Sequence, residues 1–222
     1  MKEDILEQLV DGWFLRQPST FTKHNVKYKP NPADIAHLGV KEKSHYTVSS
    51  DIDVLAIHLD KSGVERVSVV SCKSWQDGFD VDFFFENLSG LGDINKRIGT
   101  GAAWKKFREL AESKWAKAFR DKVFSETQSH DFTYYIAVTK IKSKRNKYIE
   151  EFKKCKEFID NLSDYGKHNV KINFITLEDM LQGIFTQKSD TTLEATEICR
   201  FMQLIKAADL TLITKNDLKL KK

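Results

Sequence analysis

The sequence predicts an α/β domain built on a mixed sheet flanked by helices. Three observations carry that prediction. Two Val- and Ile-rich runs, "DIDVLAIHLD" and "ERVSVVSCKSW", are separated by "KSG" and read as an antiparallel hairpin. A third run, "FTYYIAVTKI", is continuous enough in apolar residues to be a strand buried on both faces. Stretches of helical periodicity precede, separate and follow these strands, the pattern of crossover connections.

Taken in order, residues 2–15 form a helix with Ile5, Leu6, Leu9, Val10, Trp13 and Phe14 at helical spacing. "RQPST" breaks it, "FTKHNVKYK" alternates weakly as a candidate strand, and the prolines of "PNP" close that strand with a loop. "IAHLGVKEKSHYTVSS" reads as loop with a short helix. After the hairpin, "FDVDFFFENLSGLGDINKRIG" receives no element, and its glycines suggest a flexible connection. A helix is expected from Ala102 to about Phe124, with Trp104, Phe107, Ala111, Trp115, Ala118 and Phe119 on one face. After the third strand come a basic amphipathic helix over 146–163 and a fourth strand running into a short helix in "VKINFITLEDML". A last helix over 191–209 is expected to turn Ile198, Phe201, Met202 and Ile205 inward.

The chain of 222 residues can bury a sizeable core and reads as one domain over 1–222, with 183–222 readable as a helical appendage. An apolar content of 41% with 31% charged residues is that of an ordinary globular protein and excludes the disordered class. No apolar stretch approaches the roughly 20 residues needed to span a bilayer, and the acidic start "MKEDILEQLVDGWF" is no secretory signal. Cys72, Cys155 and Cys199 lie far apart with no CxxC pair, which argues for a reducing, cytoplasmic setting and against zinc or a disulfide framework. The six histidines lack HxH and HxxxH spacing. "SGLGD" lacks the GK[ST] ending of a phosphate-binding loop, and no GxSxG or Cys–His pairing marks nucleophilic catalysis.

Net charge is only +4, but lysines and arginines concentrate in "KIKSKRNKYIEEFKKCK" at 140–156 and in the tail "KNDLKLKK". Such clusters neutralise phosphates, although a solvated surface is the simpler reading of the tail.

Side chains two apart on a strand share a face, so Asp51 pairs with Asp53 and Ser71 with Lys73, while Cys72 turns to the other side. In a hairpin, the start of the first strand lies beside the end of the second, so the acids and the lysine meet at one end of the sheet. A carboxylate cluster beside a lysine suits phosphodiester hydrolysis. Asp53 is the candidate ligand for Mg²⁺, a hard cation that takes oxygen donors and activates water. Lys73 is the candidate to orient that water and stabilise charge on the phosphate. An acid from the first helix, Glu7 first and Glu3 second, completes the shell.

An acid in "DIDVLA", then a hairpin, then "CKSW" resembles the PD-(D/E)XK nuclease superfamily, and within it the Mrr-like restriction endonucleases. The resemblance implies a restriction-endonuclease-like αβββαβ core over residues 2–140, a Mg²⁺ cofactor for which Mn²⁺ substitutes, and DNA as substrate, with RNA left open. It places the metal-binding aspartate at Asp53, the lysine at Lys73 and the helix glutamate at Glu7. Trp75 matches the Mrr-type ending. Ser71 departs from the pattern, standing where the family has Asp, Glu or sometimes Gln, so Asp51, Glu7 or a carboxylate displaced in sequence would supply the missing ligand. Lys105, Lys106, Arg108, Lys144 and Arg145 are the expected backbone contacts, with Gln76 as a further phosphate contact. A homodimer, presenting two sites to two strands, is left open. Two alternatives stand beside this reading: a nuclease-fold module that binds nucleic acid without chemistry, favoured by Ser71, and an unrelated α/β protein whose basic face meets a protein partner.

Overall fold

The computed structural model describes residues 4–39, 43–99, 101–142 and 147–186, with 200, 201 and 205 from the C-terminal stretch. It is a mixed α/β structure: a five-stranded mixed sheet with helices on both faces. Helix α1 (Ile5–Leu15) leads into strands β1 (Thr20–Tyr28), β2 (Ser50–His58) and β3 (Val67–Lys73). Each of these strands pairs antiparallel with the next. The chain then passes through helix α2 (Val81–Leu88), a two-stranded ribbon β4 (Arg97–Ile98) and β5 (Gly101–Ala102), and helices α3 (Arg108–Ala111) and α4 (Ser113–Thr127). Strand β6 (Phe132–Val138), helices α5 (Ile149–Lys153) and α6 (Lys156–Ser163), strand β7 (Val170–Thr176) and helix α7 (Leu177–Thr186) complete it. β6 lies parallel to β3 and β7 parallel to β6, giving the sheet order β1-β2-β3-β6-β7.

Each sheet face builds its own core. On one, Leu6, Leu9, Val10 and Phe14 of α1 and Met180 of α7 cover Val54, Ala56, Val70, Ala137 and Ile175. On the other, Phe84 and Leu88 of α2, Trp115, Phe119 and Val123 of α4, and Phe158 and Leu162 of α6 cover Leu55, Val67, Val69, Tyr134, Ile136 and Ile172. Among the described residues no helix is long and apolar enough to cross a membrane.

Three local readings are corrected. The segment left without an element holds α2, capped by the Asp80 side chain, which accepts from the Phe83 N–H at 3.0 Å. Ahead of it Gly78 adopts φ +87°, and a Cβ there would come within 2.9 Å of the Lys140 carbonyl, so the close pass of this segment by the chain after β6 requires glycine. The helix expected over 102–124 is broken into a 3₁₀ turn at Ala103–Lys106, then α3 and α4. Phe107 and Glu109 are both buried, yet a continuous helix would set positions two apart about 200° around its axis. The chain resolves the conflict with non-helical backbone at Phe107 and extended backbone at Glu112. The basic helix expected over 146–163 is likewise two helices, interrupted at Lys154–Cys155.

Most of the helix expected over 191–209, with Ile198 and Met202, lies outside the described residues. Arg200, Phe201 and Ile205 are helical. Ile205 packs on the α1-side core, but Phe201, expected inward, is exposed.

Candidate functional site

The hairpin is zipped at its loop and open at its other end. The β2–β3 ladder runs from Ile57↔Val67 to Val54↔Val70. Beyond that point β2 continues on β1 as far as Tyr28↔Ser50, while β3 continues on β6 as far as Lys73↔Val138. The two central strands therefore diverge, and Asp53 and Lys73 lie on the two sides of the divergence. Asp53 bridges it: its Oδ2 accepts the Cys72 backbone N–H at 2.6 Å, so the side chain replaces a rung of the missing ladder.

Alternation along β2 is interrupted here. Ile52 and Leu55 enter one core, Val54 and Ala56 the other. On the neighbouring strand the matching residue is Asn25, with a left-handed φ of 52° and no partner in the register. This paired irregularity sets Asp53 in the seam between the faces, within electrostatic reach of groups on both.

From the α1 side comes Glu7, half-buried in the first turn of the helix. Burial, then the charges of Asp53, Asp4 and Asp51, push its carboxyl up to about 7. Asp4 caps α1 by accepting the Leu6 N–H at 3.0 Å and also accepts the Ser74 hydroxyl, tying the helix start to the residue after β3. Glu3 lies outside the described residues. Asp51 is held outward by Lys27 at 2.6 Å.

From the other side comes Lys73. Its Nζ donates to Ser71 Oγ at 2.6 Å and lies 5.1 Å from the centre of the Phe107 ring. Ser71 is buried. Beneath it sits a carboxylate that the sequence reading missed: Glu109 of α3, only 5% exposed, accepts from Tyr28 Oη at 2.8 Å and from Tyr134 Oη. Burial raises the Asp53 pKa from its ordinary value. Lys73 and the Cys72 N–H oppose that rise, while Asp51 and Glu109 add to it. Cys72 is half-buried against the α1-side core, and burial followed by Asp53 raises its thiol pKa far above the usual value.

The structure thus brings Asp53, Lys73, Ser71 and Glu7 to one end of the sheet. Of the expected backbone contacts, Lys105 is exposed over the Trp104 ring and Lys106 is half-buried. Gln76 is exposed in the loop after β3. Arg108 instead turns inward: its Cζ lies 4.6 Å from the centre of the Trp115 ring, with Nε and Nη1 buried. Lys144 and Arg145 lie outside the described residues.

Among the described residues no three His, Cys, Asp or Glu side chains converge as a closed metal cage. The acids present are oxygen donors only, and Glu7 and Asp53 repel one another across the seam. Two carboxylates with water in the remaining positions match the way Mg²⁺ is held, whereas a closed cage would suit a different ion. Comparison with known protein families, curated proteins and solved structures gave no match to this chain.

Proposed function

We propose that the protein is a metal-dependent endonuclease that hydrolyses phosphodiester bonds in DNA, of the PD-(D/E)XK restriction-endonuclease-like type. The observation that carries this reading is the divergence of β2 from β3, with Asp53 in the seam, Glu7 on one side and Lys73 on the other. The chain order α1-β1-β2-β3, then helices and β6 parallel to β3, agrees with the αβββαβ core that the resemblance implies.

Asp53 and Glu7 would hold Mg²⁺ or Mn²⁺. The ion would supply Lewis-acid polarisation of the scissile phosphate and a more acidic bound water. The chain's own residues do the rest. Lys73, an ammonium fixed by Ser71 and by the Phe107 face, stands where negative charge builds on the phosphate. Ser71 does not replace the family's acid; it anchors that lysine. Glu109 adds buried negative charge behind the pair. Cys72 and Cys155 are free thiols, in keeping with work in a reducing cytoplasm. A second copy of the chain would present a second site to the opposite strand.

One observation favours a second reading, a nuclease-fold module that binds nucleic acid without cutting it. The position of the expected acid is a neutral hydroxyl already engaged by Lys73.

Incubation of supercoiled plasmid with Mg²⁺, Mn²⁺ or EDTA separates the two. The nuclease reading expects metal-dependent nicking that is lost in folded Asp53→Asn and Lys73→Ala. Failure of folded wild-type protein to cut, with cutting gained in Ser71→Glu, assigns the inactive module. Nicking that survives both substitutions places the chemistry elsewhere.

A further inference from the structure

At the far end of the sheet from the seam lies a cavity of about 300 Å³ that the nuclease reading does not use. It opens where α1 stops. On the α1 face, the row Cys72, Ala137 and Ile175 across β3, β6 and β7 is apolar. Two rows further from the seam, Ser68, Thr133 and Lys171 stand side by side in the same register and line the cavity. Trp13 and Phe14, from the last turn of α1, border these polar positions. Ser68 and Lys73 lie near the two ends of β3, so cavity and seam are about 16 Å apart along the strand.

Hydrogen bonds beneath the cavity fix what its floor can recognise. Thr20 Oγ1 has a single hydrogen and gives it to the Pro18 carbonyl at 3.1 Å, so it accepts from His58 Nδ1 at 2.9 Å. Burial, then the charge of Lys61, lowers the His58 pKa to about 4, so at neutral pH the ring is uncharged and Nε2 keeps its lone pair. The Ser68 hydroxyl therefore donates to Nε2 at 3.1 Å. Thr133 gives its own hydrogen to the Val64 carbonyl at 2.8 Å. Both hydroxyls are left with lone pairs, so these two floor positions accept hydrogen bonds and donate none. The wall is aromatic: Trp13 and Tyr135 meet edge to face, with ring centres 6.4 Å apart. The rim carries two lysines and one acid. Lys61 donates to a neutral oxygen, Gln17 Oε1, at 2.9 Å, while Lys171 faces Glu65 at 4.0 Å.

We propose that this cavity binds a nucleoside monophosphate whose base carries an exocyclic amino group. The amino group meets Ser68 and Thr133, the base lies against Trp13 and Tyr135, and the phosphate sits between Lys61 and Lys171. A planar amino group directs its two N–H bonds about 120° apart and so reaches two oxygens about 5 Å from one another. Ser68 and Thr133 are paired positions on adjacent strands, whose backbones run about 4.8 Å apart. An aliphatic amine leaves the aromatic wall unused, and a free phosphate leaves the accepting floor unused. The volume is at the lower end of the range for small-molecule sites and suits one nucleotide. The cavity stands apart from the seam, and its occupancy does not depend on the nuclease reading.

Calorimetric titration in EDTA tests this with two pairs of probes, each an amino-bearing monophosphate beside its oxo counterpart: adenosine with inosine, and cytidine with uridine. The matching nucleosides and inorganic phosphate are the controls. In at least one pair the amino member should bind more than tenfold tighter than its oxo counterpart, its nucleoside or phosphate. The double variant Lys61→Gln, Lys171→Gln, checked for folding, should bind that nucleotide as weakly as the nucleoside and leave nucleoside binding unchanged. Ser68→Ala should narrow the preference for the amino member, and the isosteric Thr133→Val gives the same reading if Ser68→Ala does not fold. Equal affinity within both pairs overturns the proposal, as does nucleotide binding no tighter than that of phosphate, or no measurable binding at all. Wild-type affinity in the folded lysine double variant, with loss in Lys73→Ala, places the nucleotide in the seam and overturns it too.

Discussion

Glu7 is a seam carboxylate whose ionisation is altered by burial and by the acids around it. Burial and the charges of Asp53, Asp4 and Asp51 raise its folded-state pKa from an ordinary 4.5 to about 7. The folded protein therefore retains a proton that the unfolded chain releases. Its favourable contribution is complete below pH 4.5 and disappears as pH rises through 7. Glu7→Gln keeps the size of the side chain and removes the charge. Thermal unfolding should show the variant more stable than wild type at pH 8 and the difference closing at pH 5. A difference independent of pH would mean that Glu7 does not face the other acids. Of the other polar residues around the seam, Asp53 and Lys73 were readable from the sequence because a hairpin brings the ends of two adjacent strands together. Asp4 and Glu109 were not: each is defined by a partner distant in the chain, Ser74 for the first and Tyr28 and Tyr134 for the second. "FRELAES" reads as part of the helix over 102–124 with Phe107 and Ala111 on its apolar face, and only the break at Phe107 carries Glu109 inward beside Phe107 and Leu110.

The same division holds for the elements. Strands β2, β3 and β6 were legible because they are apolar and bounded by turn residues, and α1 because its apolar positions repeat every three to four residues. The divergence of β2 from β3 was not, since it depends on where each strand's other neighbour stops pairing with it. Helix α2 hid in "VDFFFENL", where Phe83 and Phe85 beside Phe84 blur the apolar face formed by Val81, Phe84 and Leu88, and whose flanking glycines resemble a linker. Its stability comes from tertiary contacts: Phe84 stacks near-parallel on Trp75 and Phe79, with ring centres 5.4 and 5.0 Å away, and is fully buried. Truncating it should leave a cavity that the tightly packed neighbours cannot fill. Phe84→Ala is expected to destabilise the fold by about 3–5 kcal/mol, read as a lower urea midpoint at unchanged slope. A loss under about 1 kcal/mol would show that α2 is not part of the cooperative core.

At the scale of the whole molecule, the two cores are built by side chains on the two sheet faces, and the acids of the seam lie at the edge of both. Among the described residues both cores are made of packed apolar side chains. A metal at Asp53 and Glu7 would therefore act as a ligand of an already folded protein, not as a structural staple. Such a ligand stabilises by mass action, about 2.7 kcal/mol at a hundred times its dissociation constant. For a chain of this size that corresponds to a rise in melting temperature of about 5–10 °C. EDTA should leave the unfolding transition of purified protein in place. Saturating Mn²⁺ should raise it by that amount in wild type, and Asp53→Asn should abolish the rise. Binding requires Glu7 to lose its proton, so the rise should be larger at pH 8 than at pH 6. An equal rise in Asp53→Asn would move the ion to another part of the surface, and unfolding by EDTA alone would make it structural. Either result would detach the metal from the diverging strands and remove the physical basis for placing the phosphodiester between Asp53 and Lys73.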